Sequence, residues 1–161
     1  MIIVLESIII CIIFTIAVFV FSRDPIKTLY NYPTKIQERV KSLPEYKDKI
    51  PTSSQKSLTK GGTIVIFTLA LSMILHYFNG CTTFSSAFKT GFLLWTIVNL
   101  YDFFVLGVIW FCHDSYFVLK GTEDMIKEYH NYHFHFNGFL FGEGVGLAIC
   151  LIASLIIHYL L

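Results

Sequence analysis

The sequence predicts an all-α, polytopic integral membrane protein: four transmembrane helices in an antiparallel bundle, with a short amphipathic cytoplasmic helix between the first two. Three observations predict this class. Of the 161 residues 55% are hydrophobic and only 14% are charged, whereas soluble domains carry about 25% charged residues. Four apolar runs approach or exceed the roughly 20 residues that a helix needs to cross a bilayer. Nine of the twelve lysines and arginines lie in one segment, Arg23–Lys60.

The apolar runs define a single membrane domain of residues 1–161, with predicted spans at about 2–22, 62–78, 87–113 and 138–161. The first run has no basic leader and no small-residue cleavage site, so we expect a retained helix rather than a signal peptide. All four prolines lie outside the spans. The sequence therefore excludes proline kinks within them.

The distribution of basic residues predicts how the chain crosses the membrane. Lysine and arginine are enriched in cytoplasmic loops, which places the 23–60 connection in the cytoplasm. Alternating spans then place the 114–137 connection in the cytoplasm as well. The N-terminus and the C-terminus would lie outside, with the plasma membrane as the expected location.

The amphipathic helix is predicted within the 23–60 connection. Pro33 suits a first helical position, Ile36, Val40 and Leu43 follow at helical spacing, and Pro44 ends the run. This helix could lie on the cytoplasmic membrane surface. The alternative is a mostly extended linker with one or two helical turns.

The 114–137 connection contains a second helix signal. Thr122 precedes two acidic residues, which is typical of a helix start with a hydroxyl N-cap. We expect a helix from about Glu123 to Asn131. Beyond it the aromatic and histidine residues alternate, and this stretch is either extended or leads straight into the fourth span.

Polar residues inside the spans mark a candidate site. A carboxylate near the bilayer centre costs roughly 2.5 to 3.5 kcal/mol on insertion scales, so Asp102 predicts a functional role. An α-helical period places Asn99, Asp102 and His113 on one face of the third span. Glu143 enters from the fourth span. The sequence predicts a cytoplasm-facing polar cavity in which Asp102, His113 and Glu143 are the catalytic candidates and Asn99 binds the ligand.

A structural interpretation competes with this site. Asp102 could be a neutral acid that is hydrogen-bonded to Asn99 or Tyr101, and it or Glu143 could join helices through polar contacts.

Histidines suggest a metal. His130, His133 and His135 carry nitrogen ligands that suit a divalent ion such as zinc, manganese or iron. His130 and His133 can share an ion on one helical turn, whereas His133 and His135 can do so only in extended backbone. The alternative is an aromatic belt at the membrane interface. His76 and His158 are either interfacial polar residues or axial ligands of a haem.

Three glycines follow each other at intervals of four in the fourth span: Gly138, Gly142 and Gly146. Small residues at this spacing allow a second helix to approach closely. They predict either a homo-oligomer contact through this face or room for a ligand beside Glu143.

Three functions remain open from these patterns. The first is a small membrane protein whose polar intramembrane cavity binds a metal ion or a lipid-like ligand, extended in one variant to a membrane-embedded enzyme. The second is an oligomeric subunit that handles or transports protons or cations. The third is a non-catalytic scaffold whose 23–60 connection docks a partner or anionic lipid. Membrane lipid is the expected partner, and nothing points to nucleic acid.

Overall fold

The computed structural model describes residues 2–161, except for the side chains of Ile2, Ser53 and Lys56. Within that range the chain is helical and contains no strand. Its α-helices are α1 Ile2–Phe21, α2 Thr34–Ser42, α3 Ser53–Met73, α4 Phe84–Tyr101, α5 Ile126–Tyr129 and α6 Tyr132–Leu160. Two of them continue as π-helix: α3 through Ile74–Phe78 and α4 through Asp102–Phe111.

Four helices of the described chain are long and apolar enough to cross a membrane, which confirms the predicted number of spans. They cover Ile3–Phe21, Ser57–Phe78, Phe84–Phe111 and Tyr132–Leu160. The second, third and fourth begin earlier than predicted, because each helix extends beyond the continuous apolar run from which its start was predicted. These four helices are compatible with a multi-pass membrane protein.

The chain divides into two compact units. The first unit contains Met1–Thr52 and Leu100–Phe139, and the second contains Ser53–Asn99 and Leu140–Leu161. One boundary lies at the start of α3, and the other two fall inside the third and the fourth long helix.

The first unit contains a hydrophobic core built by the two connections that were predicted to be cytoplasmic. We call it the connection core. Its buried members come from both connections: Ile26, Leu29, Tyr32, Ile36, Val40, Phe117, Leu119 and Tyr129. The predicted surface placement of the short helix is therefore corrected: Ile36 and Val40 are 0% exposed and Tyr32 is 2% exposed, so α2 presents its apolar side to protein.

Hydrogen bonds and ion pairs join the connection core across the sequence. The Tyr129 hydroxyl accepts the Leu119 N–H at 3.0 Å and shares a 2.7 Å hydrogen bond with the Thr122 hydroxyl. Lys35 pairs with Glu128 at 2.6 Å, and Arg39 pairs with Asp124 at 3.0 Å. Burial raises the pKa of the Tyr129 phenol above its ordinary value.

The predicted helix from Glu123 to Asn131 is shorter and broken. Thr122 does not cap it, because its hydroxyl donates to the Leu119 carbonyl at 2.7 Å. A 3₁₀ turn at Glu123–Met125 leads into the four-residue α5. Asn131 then starts the next helix by accepting the Phe134 N–H on its side chain at 3.0 Å. This N-cap is the physical reason that the helix stops and α6 begins.

The second unit contains α3, the first part of the third long helix and most of α6. Its helices approach closely at glycines. A Cβ at Gly91 would lie 2.9 Å from Leu75 Cδ1, so the absence of a side chain at Gly91 makes room for α3. Leu94, Ile149 and Cys150 are buried in this unit.

Candidate functional site

Glu143 lies in a polar cluster of the second unit. Its two carboxylate oxygens accept hydrogen bonds from α4: one from the Asn99 side-chain amide at 2.8 Å and one from the Thr96 hydroxyl at 3.0 Å. One turn before Asn99 on α4, the Trp95 indole N–H donates to the Gly142 carbonyl at 3.1 Å. The predicted ligand-binding residue Asn99 therefore binds Glu143, as the polar-contact interpretation of Glu143 expected.

The glycines of α6 accommodate this cluster. A Cβ at Gly142 would lie 2.6 Å from Asn99 Oδ1, and a Cβ at Gly146 would overlap the Trp95 indole. Gly138 has open space around its Cβ position. Gly142 and Gly146 thus pack against α4 of the same chain, and the homo-oligomer through Gly138, Gly142 and Gly146 stays a prediction.

Asp102 belongs to the first unit, where it is the first residue of the π-helix Asp102–Phe111. Among the described residues its carboxyl group has neither a hydrogen bond nor an ion pair. The proposed partner Tyr101 shares a 2.7 Å hydrogen bond with Thr15 instead.

The ten-residue π-helix changes the geometry expected for the third span. Most π-helices are single-turn bulges, and their i→i+5 bonds put more residues in each turn than an α-helix has. Asp102 and His113 are therefore less than three full turns apart. An α-helical period therefore does not apply between Asp102 and His113, and it no longer places them on one face. Their joint catalytic role stays a prediction.

His113 lies at the end of this helix and is exposed. Its Nδ1 is 2.9 Å from the Val108 carbonyl, and its ring stacks on His130 with centroids 5.2 Å apart. If Nδ1 donates to that carbonyl, Nε2 is left as an acceptor. The sequence did not predict the contact between His113 and His130.

The predicted metal ligands do not form a ligand set. Over residues 2–161 no three His, Cys, Asp or Glu side chains are grouped to hold a metal ion. His130 lies at the break after α5, so it shares no helical turn with His133. His133 and His135 are both in α6, where residues two apart project to roughly opposite sides. The structure thus gives no support to metal binding by His130, His133 and His135.

His135 is instead partly buried beside the π-helix. Its ring lies 5.1 Å from Phe111, and a Cβ at Gly107 would be 3.1 Å from its Nδ1. Its Nε2 is buried without a hydrogen-bond partner. The haem alternative gains no support, because His76 Nδ1 is buried whereas His158 is exposed in the last turn of α6.

Two shallow clefts lie in the first unit, and His113 is the one candidate site residue predicted from the sequence that lines either of them. The apolar cleft has a volume of about 410 Å³ and is lined by Thr15, Ile16, Phe19, Tyr101, Val105, Leu106 and Trp110. The polar cleft has a volume of about 430 Å³ and is lined by Ile109, Trp110, His113, Asp114 and Ser115. Trp110 lines both, so the two clefts adjoin at its side chain.

One contact between α1 and the third long helix, and one at the end of the third long helix, position the walls of these clefts. Phe19 stacks on Trp110 with ring centroids 6.3 Å apart. The Trp110 indole N–H donates to an Asp114 carboxylate oxygen at 3.0 Å. Thr15, the only threonine in the first predicted span, was the one sequence signal that could have indicated the apolar cleft.

No family model, curated protein or solved structure matches this chain. The geometry of its own residues therefore has to carry the functional argument.

Proposed function

We propose that this chain is a lipid-binding membrane protein. In this proposal an acyl chain lies in the apolar cleft, and the polar end of the lipid lies at the polar cleft. The observation that carries the proposal is that Trp110 lines both clefts, so that an apolar surface adjoins one with His113 and Asp114. A lipid likewise has an apolar acyl chain joined to a polar headgroup.

The size of the clefts and the position of Trp110 support this ligand class. Their volumes of about 410 and 430 Å³ fall within the roughly 300–1,000 Å³ of small-molecule sites. Trp110 lies at the end of an apolar helix, and tryptophan is enriched at the level of lipid headgroups. The boundary between the two clefts would then lie at the membrane interface.

The proposal includes the membrane arrangement that the sequence predicted. The four helices would form an antiparallel bundle with the N-terminus and the C-terminus outside. The 23–60 and 114–137 connections would be cytoplasmic, and the packing of both into one connection core supports their location on a common side. The lipid would thus come from the cytoplasmic leaflet.

A catalytic variant of the same site has one specific observation in its favour. The Nδ1 contact of His113 with the Val108 carbonyl can fix the tautomer whose Nε2 accepts a proton. His113 would then act as a general base on a headgroup in the polar cleft. Proton or cation transport and a scaffold role stay predictions, as do catalytic roles for Asp102 and Glu143.

Quenching of Trp110 by phospholipids with brominated acyl chains tests the proposal. Trp95 is the only other tryptophan, so a Trp95→Phe background reports on Trp110 alone. We expect saturable quenching. Val105→Phe, which fills the apolar cleft, should weaken the apparent affinity about tenfold, the effect of losing roughly 1.4 kcal/mol.

The matched control is Val4→Phe, which makes the same substitution at an exposed position of the first unit outside both clefts. Its quenching curve should stay unchanged. Equal quenching of both variants would mean that Trp110 senses only bulk lipid, and it would refute the proposed function.

A further inference from the structure

We infer that Arg23 binds the phosphate of an anionic phospholipid whose acyl chain occupies the apolar cleft. This inference rests on the proposed function and adds the headgroup class to it. The proposal needs a cation at the rim of the cleft, an ordered backbone beside that cation and no competing carboxylate bound to it. The structure provides all three.

Arg23 lies next to the wall of the apolar cleft. Its guanidinium carbon is 5.8 Å from the centroid of the Phe19 ring, and Phe19 lines the cleft. Phe19 also contacts Trp110, because the two rings stack with an interplanar angle of 19°. The cation therefore lies close to the aromatic residue at which the apolar and polar clefts adjoin.

The backbone beside Arg23 is held in place. The Tyr116 hydroxyl donates to the Ser22 carbonyl at 3.1 Å, and the Ser22 N–H continues the helix by donating to the Val18 carbonyl at 2.8 Å. Tyr116 in turn donates its own N–H to Asp114 at 2.9 Å. These bonds connect the end of α1 to the residues that line the polar cleft.

The charge of Arg23 is available to a ligand. The adjacent carboxylate Asp24 pairs with Lys27 at 3.3 Å. Across the described part of the chain, no carboxylate forms an ion pair with Arg23. By contrast, Lys35 and Arg39 of the same connection pair with acids of the 114–137 connection. An unpaired guanidinium presents a planar set of donors that matches two phosphate oxygens at once.

Asp114 limits the charge of the headgroup. Its carboxylate lines the polar cleft and accepts hydrogen bonds from Trp110 and Tyr116. A headgroup with several negative charges would be repelled there, whereas one phosphodiester can bind Arg23 with little repulsion. The class that fits is a glycerophospholipid with a net charge of −1, such as phosphatidylglycerol.

The test compares brominated phosphatidylglycerol with brominated phosphatidylcholine in the Trp95→Phe background. We expect Trp110 to be quenched with about fivefold higher apparent affinity by phosphatidylglycerol, the effect of one basic residue near the membrane surface. Arg23→Gln should abolish this preference, and it should weaken the binding of phosphatidylcholine less, because the choline cation offsets the charge of that phosphate. Arg23→Lys keeps the charge but loses the planar donors, so it should retain only part of the preference.

Lys47→Gln is the matched control, because it removes one positive charge from an exposed side chain of the same connection. It should keep the full preference. Equal losses in Lys47→Gln and Arg23→Gln would show a general charge effect and would overturn the inference. So would a preference that survives Arg23→Gln while quenching stays saturable. Absence of saturable quenching by either lipid would instead refute the proposed function itself.

Discussion

The two units of this chain are stabilised by different kinds of contact. The connection core of the first unit is made of large apolar side chains, and α2 contributes Ile36 and Val40 to it. In the second unit α4 and α6 meet through glycines, an indole and the hydrogen bonds of Glu143. In the first unit, residues of the connections pack as they do in a soluble protein. In the second unit, helices of membrane-spanning length approach each other through small and polar residues.

The physical reason for this difference is the solvent that the connection core and the contact between α4 and α6 are proposed to face. In water, burial of apolar surface drives packing, so large side chains from the connections collect in one core. Between helices in lipid that driving force is absent. Close van der Waals contact and interhelical hydrogen bonds then stabilise the packing, and small residues allow the approach. Four experiments with matched controls would break or sharpen this comparison.

The largest effect is expected at Gly146 in the second unit. Gly146→Ala would place a methyl group where the Trp95 indole lies, and the indole is held by its bond to the Gly142 carbonyl. We expect a loss of about 3 kcal/mol in unfolding free energy, as for overpacking of a core. Gly144→Ala is the control, because nothing lies within 4 Å of its Cβ position. Equal unfolding temperatures for both variants in detergent would contradict close packing at Gly146.

The next effect is expected at Tyr129 in the connection core. Tyr129→Phe leaves the buried Leu119 N–H without its acceptor, which should cost about 2 kcal/mol. Tyr32→Phe is the control, because the Tyr32 hydroxyl is buried without a partner. Chemical unfolding should show a large loss for the first variant and none for the second. Similar losses would mean that ring packing rather than the hydrogen bond stabilises this core.

A smaller effect is expected for the hydrogen bond between Asn99 and Glu143. A double-mutant cycle with Asn99→Ala and Glu143→Ala should give a coupling energy of about 0.6 to 1 kcal/mol, typical of polar contacts between membrane helices. The control cycle pairs Glu143→Ala with Thr68→Ala, since the Thr68 hydroxyl bonds only within its own helix. Its coupling should be near zero. A zero coupling in the first cycle would remove Glu143 from the contacts that stabilise this unit.

The smallest effect is expected at the ion pair between Lys35 and Glu128. The Lys35 side chain is 69% exposed, so Lys35→Met should cost about 0.5 kcal/mol and less at high salt. Glu38→Gln on the same helix removes an exposed charge and serves as the reference. A loss above that seen for Tyr129→Phe would mean that ion pairs rather than apolar packing stabilise the first unit.

The fold could be predicted from sequence to the level of its elements. Apolar run lengths predicted the four long helices, and the spacing of Ile36, Val40 and Leu43 predicted α2. The helix ends were less predictable. The side chain of Asn131 decides where α6 begins, and the hydroxyl of Thr122 goes to the Leu119 carbonyl rather than to a helix start. Such choices depend on which partner lies nearby in space.

The candidate site could be predicted only in part. Asp102 and Glu143 were identified because charged residues are rare in apolar runs. Their expected geometry assumed an uninterrupted α-helix. The π-helix at Asp102–Phe111 removed that assumption. The apolar cleft had almost no sequence signal, because most of its lining is ordinary apolar side chains, whereas the polar cleft contains the predicted residue His113.

The sequence by itself determined that this chain has four helices of membrane-spanning length and where its polar residues fall along them. Each residue has its own preference for water or lipid, so composition and the spacing of apolar residues were enough to predict these helices. Tertiary structure alone decided that Glu143 binds Asn99, that Gly146 faces Trp95 and that Arg23 lies over Phe19. The residues of the first two pairs are about 50 positions apart, and all three contacts depend on side-chain placement, which no local pattern encodes.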